Sequence, residues 1–144
     1  MGMVLRLAAT MLASVTALGT RVHAQCEQAK LTASDATREQ YFGAAVGISG
    51  DVAVIGASGG SLPGWAGGAY VFRRYGGKWL QQQKLVPSDL QEGSVLGWAV
   101  AISGDTIVAT APGHSTVNPA DGAAFVFRYD SVSWMETQKL YPTD

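Results

Sequence analysis

Apolar positions in this chain fall in short runs broken by glycine-rich turns. Residues 52–57, Val-Ala-Val-Ile-Gly-Ala, form an unbroken apolar run. A strand that is apolar on both faces must be covered on both faces. Residues 41–49 alternate weakly and end at Ser49-Gly50-Asp51, a turn. Residues 58–68 hold five glycines and Pro63 and read as a loop. Residues 69–74 predict a third strand, Gly76-Gly77 turns the chain, and 79–85 predicts a fourth. The same order then returns: strands at 95–103, 106–111, 123–129 and 134–141, with a loop at 112–122. No helical period of 3.6 residues runs beyond residue 24.

The second set of four is a repeat of the first. Residues 30–58 match 84–112 at 13 of 29 positions, including Ile48-Ser49-Gly50-Asp51 against Ile102-Ser103-Gly104-Asp105. After one inserted residue, 67–89 match 122–144 at 11 of 23, including Val71-Phe72-Arg73 against Val126-Phe127-Arg128 and Trp79 against Trp134. Self-similarity at this period organises the fold before any local motif does. Gln28-Ala29-Lys30-Leu31 is a leading copy of the segment that ends each repeat, Gln83-Lys84-Leu85 and Gln138-Lys139-Leu140.

Four antiparallel strands per unit, with inner strands apolar on both faces, predict an all-β chain of two β-propeller blades in an incomplete ring. In a ring, the leading segment is expected to complete the last blade as its outer strand, tying the ends together. The divisions are a leader at 1–24, a leading strand and linker at 25–40, a first blade at 41–86, and a linker with the second blade at 87–144. Rings use roughly four to eight blades. Two blades imply either a piece of a longer chain, the preferred expectation, or several copies building one ring.

Composition narrows the picture. The chain is 15% charged with 18 glycines, as suits a turn-rich β protein rather than a helical or disordered one. Arg6, the uncharged run 7–19 and Val22-His23-Ala24 form a secretory leader with cleavage expected after Ala24. The run is too short for a membrane span, which needs roughly 20 residues. Losing Arg6 and Arg21 leaves eight basic against eleven acidic side chains, so a nucleic-acid partner is not expected. Cys26 is the single cysteine and cannot form an internal disulfide.

These residues resemble the FG-GAP repeat family, the blades of integrin-α-like propellers, in its bacterial secreted branch. The landmarks are Phe42-Gly43 and Gly56-Ala57-Ser58 in the first repeat, and Leu96-Gly97 and Thr110-Ala111-Pro112 in the second. Around them run Lys-Leu-x-x-Ser-Asp, Ile-Ser-Gly-Asp and Val-Phe-Arg. The resemblance implies a secreted or cell-surface protein used in adhesion or recognition, binding a protein or a surface glycan. Some members bind calcium in an Asp-rich loop between the first two strands. Here that connection is one carboxylate in a tight turn, too few oxygens for a calcium shell, so no metal or other cofactor is expected.

Residues at equivalent places in both repeats are expected to serve the blade: Asp35/Asp89/Asp144, Asp51/Asp105, Arg73/Arg128, Lys84/Lys139 and Trp79/Trp134. The tryptophans are large enough to anchor blade against blade. Trp65, His114, Asn118 and Asp121 are unique to one repeat and fall in the same loop of successive blades. An aromatic beside polar groups there could stack on a sugar or grip a peptide. Trp98 is expected to pack in the core, or to face an inner channel. His114 is the one histidine beyond the leader, and no nucleophile–base motif or zinc-ligand spacing accompanies it, so the chain is not expected to be an enzyme. The alternatives are a short lectin-like module that oligomerises into a whole propeller, and a non-catalytic part of a secreted enzyme.

Overall fold

The computed structural model describes residues 29–35, 39–59, 64–116 and 121–142. The leader and Cys26 lie outside the described residues. Eight strands are present: β1 (Phe42–Ser49), β2 (Val52–Ala57), β3 (Gly68–Tyr75), β4 (Lys78–Leu85), β5 (Val100–Ser103), β6 (Thr106–Ala111), β7 (Ala123–Tyr129) and β8 (Trp134–Leu140). They form two antiparallel meanders, β1-β2-β3-β4 and β5-β6-β7-β8, stacked as two blades. No helix occurs among the described residues, and so none is long and apolar enough to cross a membrane. The fold is all-β, as the run pattern predicts.

Period-two geometry assigns each blade two faces. On blade 1, Val54 pairs with Val71 and Gly56 with Ala69, and this downstream face meets blade 2. Ile55 pairs with Tyr70 and Ala53 with Phe72 on the upstream face, away from blade 2. On blade 2, Ile107, Ala109, Phe125 and Phe127 face blade 1. The main core lies in this seam. Val54, Val71, Leu85, Ile107, Ala109 and Phe125 are fully buried there. This accounts for the all-apolar β2: both its faces are used, one by blade 2 and one by Tyr70, Phe72 and Ala33.

Polar groups stitch the seam at both ends of the strands. Gln83 accepts from the Trp134 amide at 2.7 Å and donates to the Trp134 carbonyl at 2.8 Å. The Trp134 indole donates to Gln82 at 3.3 Å, and the Arg73 guanidinium lies 4.6 Å over the Tyr129 ring. At the inner strands, the Gly104 amide donates to Ser49 Oγ at 3.1 Å. Trp134 therefore anchors blade on blade, as expected. Trp79, its counterpart, packs beside Leu31 and Ala33 instead.

Residues 29–33 form no strand among the described residues, and Leu31 and Ala33 fold against the apolar upstream face of blade 1. One expectation needs correction: Trp98 is 62% exposed rather than in the core. The strand expected over 95–103 begins only at Val100. Val95 and Gly97 both have positive φ, and Leu96 leaves the sheet to bridge Gly67 in parallel. That kink turns residue 98 outward, and its blade 1 counterpart, Ala44, is also exposed.

Candidate recognition rim

The loops after β2 and β6 come to one rim of the stack, and the 91–97 segment ties them together. The Gly93 amide donates to the Trp65 carbonyl at 3.0 Å, and the Gly113 amide donates to the Ser94 carbonyl at 3.0 Å. Gln91 Nε2 donates to the Ser115 carbonyl at 3.1 Å, and the Gly64 amide donates to Glu92 Oε1. These bonds tie the described residues of both loops to one segment.

Trp65 is half-buried, lying against the Cα of Gly59, where a methyl group would meet the indole at 1.9 Å. Lys84 Nζ sits 5.1 Å over its ring, a cation–π contact. Its Nε1 is buried and finds no hydrogen-bond acceptor among the described residues. Asp121 accepts from the Thr116 amide at 3.0 Å and from the Thr116 hydroxyl, closing the second loop. Asn118 lies outside the described residues. The structure thus brings the Trp65, His114 and Asp121 loops to one rim, but not all their side chains to its surface.

His114 is the exception. It is 1% exposed, with Phe125 edge-on at 5.4 Å and Tyr141 stacked at 6.2 Å. Its Nδ1 is 3.2 Å from Ser94 Oγ, and its Nε2 is 3.7 Å from Asp89 Oδ2. This Ser–His–Asp grouping is not built as a nucleophile. Ser94 is fully buried, and its hydroxyl already accepts from the Gln91 amide at 3.1 Å. No reacting carbon could reach Oγ, and the cluster pins the 91–97 segment to the second loop.

The repeated acids and bases also have defined partners. Lys84 donates to Asp35 at 2.6 Å, and Lys139 donates to Asp89 at 2.7 Å. One position earlier, the Ser34 amide donates to Gln81 at 2.8 Å and the Ser88 amide to Glu136 at 2.7 Å. So Ser-Asp in each linker clamps the fourth strand of the blade it enters. The hydrogen bond from Lys84 holds the Asp35 carboxyl below the usual carboxylate range. Burial pushes Asp89 up, but the Lys139 hydrogen bond and charge outweigh it and leave Asp89 lowered. Burial raises the Tyr70 hydroxyl, which sits beside the first clamp. The repeat marks these residues as structural, but their pairing across linker and strand is invisible in the sequence. The matched spacing of Ser-Asp and Gln/Glu-x-x-Lys is the signal that could have found it.

This stacking of two glycine-keyed, four-stranded units agrees with the comparison to known families. The FG-GAP repeat family matches at residues 26–72 and 79–127. The chain belongs to the FG-GAP repeat family. No curated protein matches it significantly. In the FG-GAP frame, Gly43, at the start of β1, and Gly97, ahead of β5, are the landmark glycines, with φ of 95° and 83°. Glycine is required at both, since L side chains rarely adopt such a φ. Gly56 and Thr110 occupy the first position of the second landmark, and they differ in a way that bears on packing. Among the described residues no three His, Cys, Asp or Glu side chains converge on one point.

Proposed function

We propose that this FG-GAP repeat chain is part of a secreted or cell-surface recognition module that grips a protein or a surface glycan through its loop rim. It performs no chemistry of its own. The carrying observation is a division of labour. The Asp and Lys residues common to both repeats pair in the linker clamps, while the residues that differ, Trp65 above all, lie on loops held side by side at one rim. Recognition residues concentrate on loops held by a rigid scaffold. An aromatic face beside polar groups suits a sugar ring or a peptide. The leader at 1–24 and the extracellular habit of FG-GAP repeats support secretion. The buried position of Ser94 and His114 supports a non-catalytic reading.

The test is binding of the intact chain to a glycan array and to immobilised extracellular proteins, with Trp65→Ala in parallel. Loss of binding in a variant that keeps its β-sheet spectrum supports the rim. Equal binding by Trp65→Ala and the wild type would sink it.

A further inference from the structure

The seam between the blades shows what each outer face can accept. At its tightest point, backbone meets backbone. A Cβ on Gly56 would lie 2.0 Å from the Gly97 carbonyl oxygen, and a Cβ on Gly97 would lie 2.1 Å from the Gly68 carbonyl oxygen. Beside this point Ile102 covers Gly47, where a Cβ would sit 3.2 Å from Ile102 Cγ2. The seam is therefore keyed. The docking face needs glycine at 56, and the receiving face needs the glycine kink at 97.

Blade 1 carries the glycine kink and the isoleucine of the receiving half again, and the inner-strand end of that face is uncovered, while Leu31 and Ala33 cover its outer part. Gly43 stands at the place of Gly97 with φ of 95°, and Ile48 stands at the place of Ile102. Val46 and Ile48 are 70% and 66% exposed, whereas their counterparts Val100 and Ile102 pack on the core. Leu31, Val46, Gly47, Ile48, Ala53 and Ile55 line an open groove of about 300 Å³ there. Exposed apolar faces of this kind mark interaction sites.

Blade 2 repeats the docking half with a fault in it. Val108, Val126, Arg128, Gln138 and Leu140 repeat Val54, Val71, Arg73, Gln83 and Leu85. But Thr110 stands where blade 1 has Gly56, and Ala101 where it has Gly47. Thr110 Oγ1 accepts from the Ala99 amide at 3.0 Å, so its side chain is held in place. Its Cβ occupies the space that the next blade's kink carbonyl requires. At Ala101 the incoming isoleucine need give only a few tenths of an ångström.

We propose that Thr110 is a gatekeeper: the open end of blade 1 accepts a second-strand face carrying Val-x-Gly, as residues 54–56 do, and Thr110 withholds blade 2 of a second copy of this chain from that site. Selectivity here comes from a built-in clash, not from an added attraction.

Light scattering after size exclusion tests this on the chain with Thr110→Gly and Ala101→Gly together. The wild type runs as a monomer. The double variant associates roughly 10- to 100-fold more tightly, from removal of an overpacking cost. Adding Ile48→Asp to it restores the monomer. A double variant no more associated than the wild type overturns the proposal, as does assembly that survives Ile48→Asp. So does a wild type that assembles as strongly as the variant. Gly56→Thr in the wild type checks the key without any assembly. It should lower the thermal midpoint sharply, and an unchanged midpoint would refute the key.

Discussion

The two blades differ less in sequence than in what covers them. Val54, Val71 and Leu85 are fully buried on the downstream face of blade 1. Val108, Val126 and Leu140 stand at the same places on blade 2, yet the two valines are half-buried and Leu140 is 44% exposed. On the upstream faces the contrast reverses. Trp134 is 2% exposed under blade 1, while Trp79 has only the linker across it. Identical side chains thus hold different energetic positions. Hydrophobic stabilisation follows the area removed from water, which the neighbour sets. Mutating equivalent pairs separates the contribution of the blade from that of its stacking.

The largest difference should come from the tryptophans. Trp134→Ala removes a buried indole from the seam, takes the donor from Gln82 and leaves Tyr129 facing a void, a loss of about 3–5 kcal/mol. Trp79→Ala should cost clearly less. Chemical denaturation of both variants checks this, and equal losses would mean that the seam adds nothing beyond the single blade.

Leucine gives the next contrast. Leu85→Ala should destabilise by about 2–5 kcal/mol, because Leu85 is enclosed by the seam. Leu140→Ala, on the open face, should cost no more than about 0.5 kcal/mol. The same denaturation series decides it. A large loss at Leu140 would show that this face is covered in solution.

Most strand positions were legible from the runs. Residues 52–57, 106–111 and 123–129 are strands as predicted, because apolar runs bounded by turn residues leave little choice. Trp98 is the failure. Repeat logic carries no backbone geometry, and the kink at Val95 and Gly97 turns Trp98 outward. The rim was half legible. Trp65, His114 and Asp121 do belong to loops on one rim, but the sequence could not show that His114 turns inward to Ser94 and Asp89. Burial of a loop histidine is decided by contacts distant in the chain.

The linker clamps occur in both blades and predict an acid-dependent effect smaller than those of the core. Asp35 and Asp89 have lowered pKa values in the folded state. The unfolded chain therefore takes up protons first as pH falls, and folding stability declines with it. The clamp contribution is complete above the usual aspartate pKa of about 3.9 and is lost as pH drops through the lower folded values. Both carboxylates are substantially exposed, so the effect is modest. The thermal midpoint of the wild type should exceed that of Asp35→Asn with Asp89→Asn at pH 6. The gap should close toward pH 2, and a gap that stays constant would show that charge is not what the clamps contribute.

The smallest effect lies at the hairpins between third and fourth strands, where the blades solve one turn differently. Blade 1 uses Gly76-Gly77, both with positive φ, the form that suits the twist of two antiparallel strands. Blade 2 has Ser131 at the place of Gly76, and it too has positive φ, 81°. A non-glycine residue there carries a steric cost of about 1–2 kcal/mol. Asp130 compensates: its Oδ1 accepts from the Val132 amide at 2.8 Å and the Ser133 amide at 2.7 Å. Those bonds also hold its carboxyl below the usual range. Ser131→Gly should relieve the strain and stabilise by about 0.5–1 kcal/mol, after the greater chain entropy of glycine is subtracted. Asp130→Ala should destabilise slightly, because it leaves the Val132 and Ser133 amides to water in place of their acceptor. If Ser131→Gly destabilises instead, the Asp130 turn is rigid enough that Ser131 carries no strain.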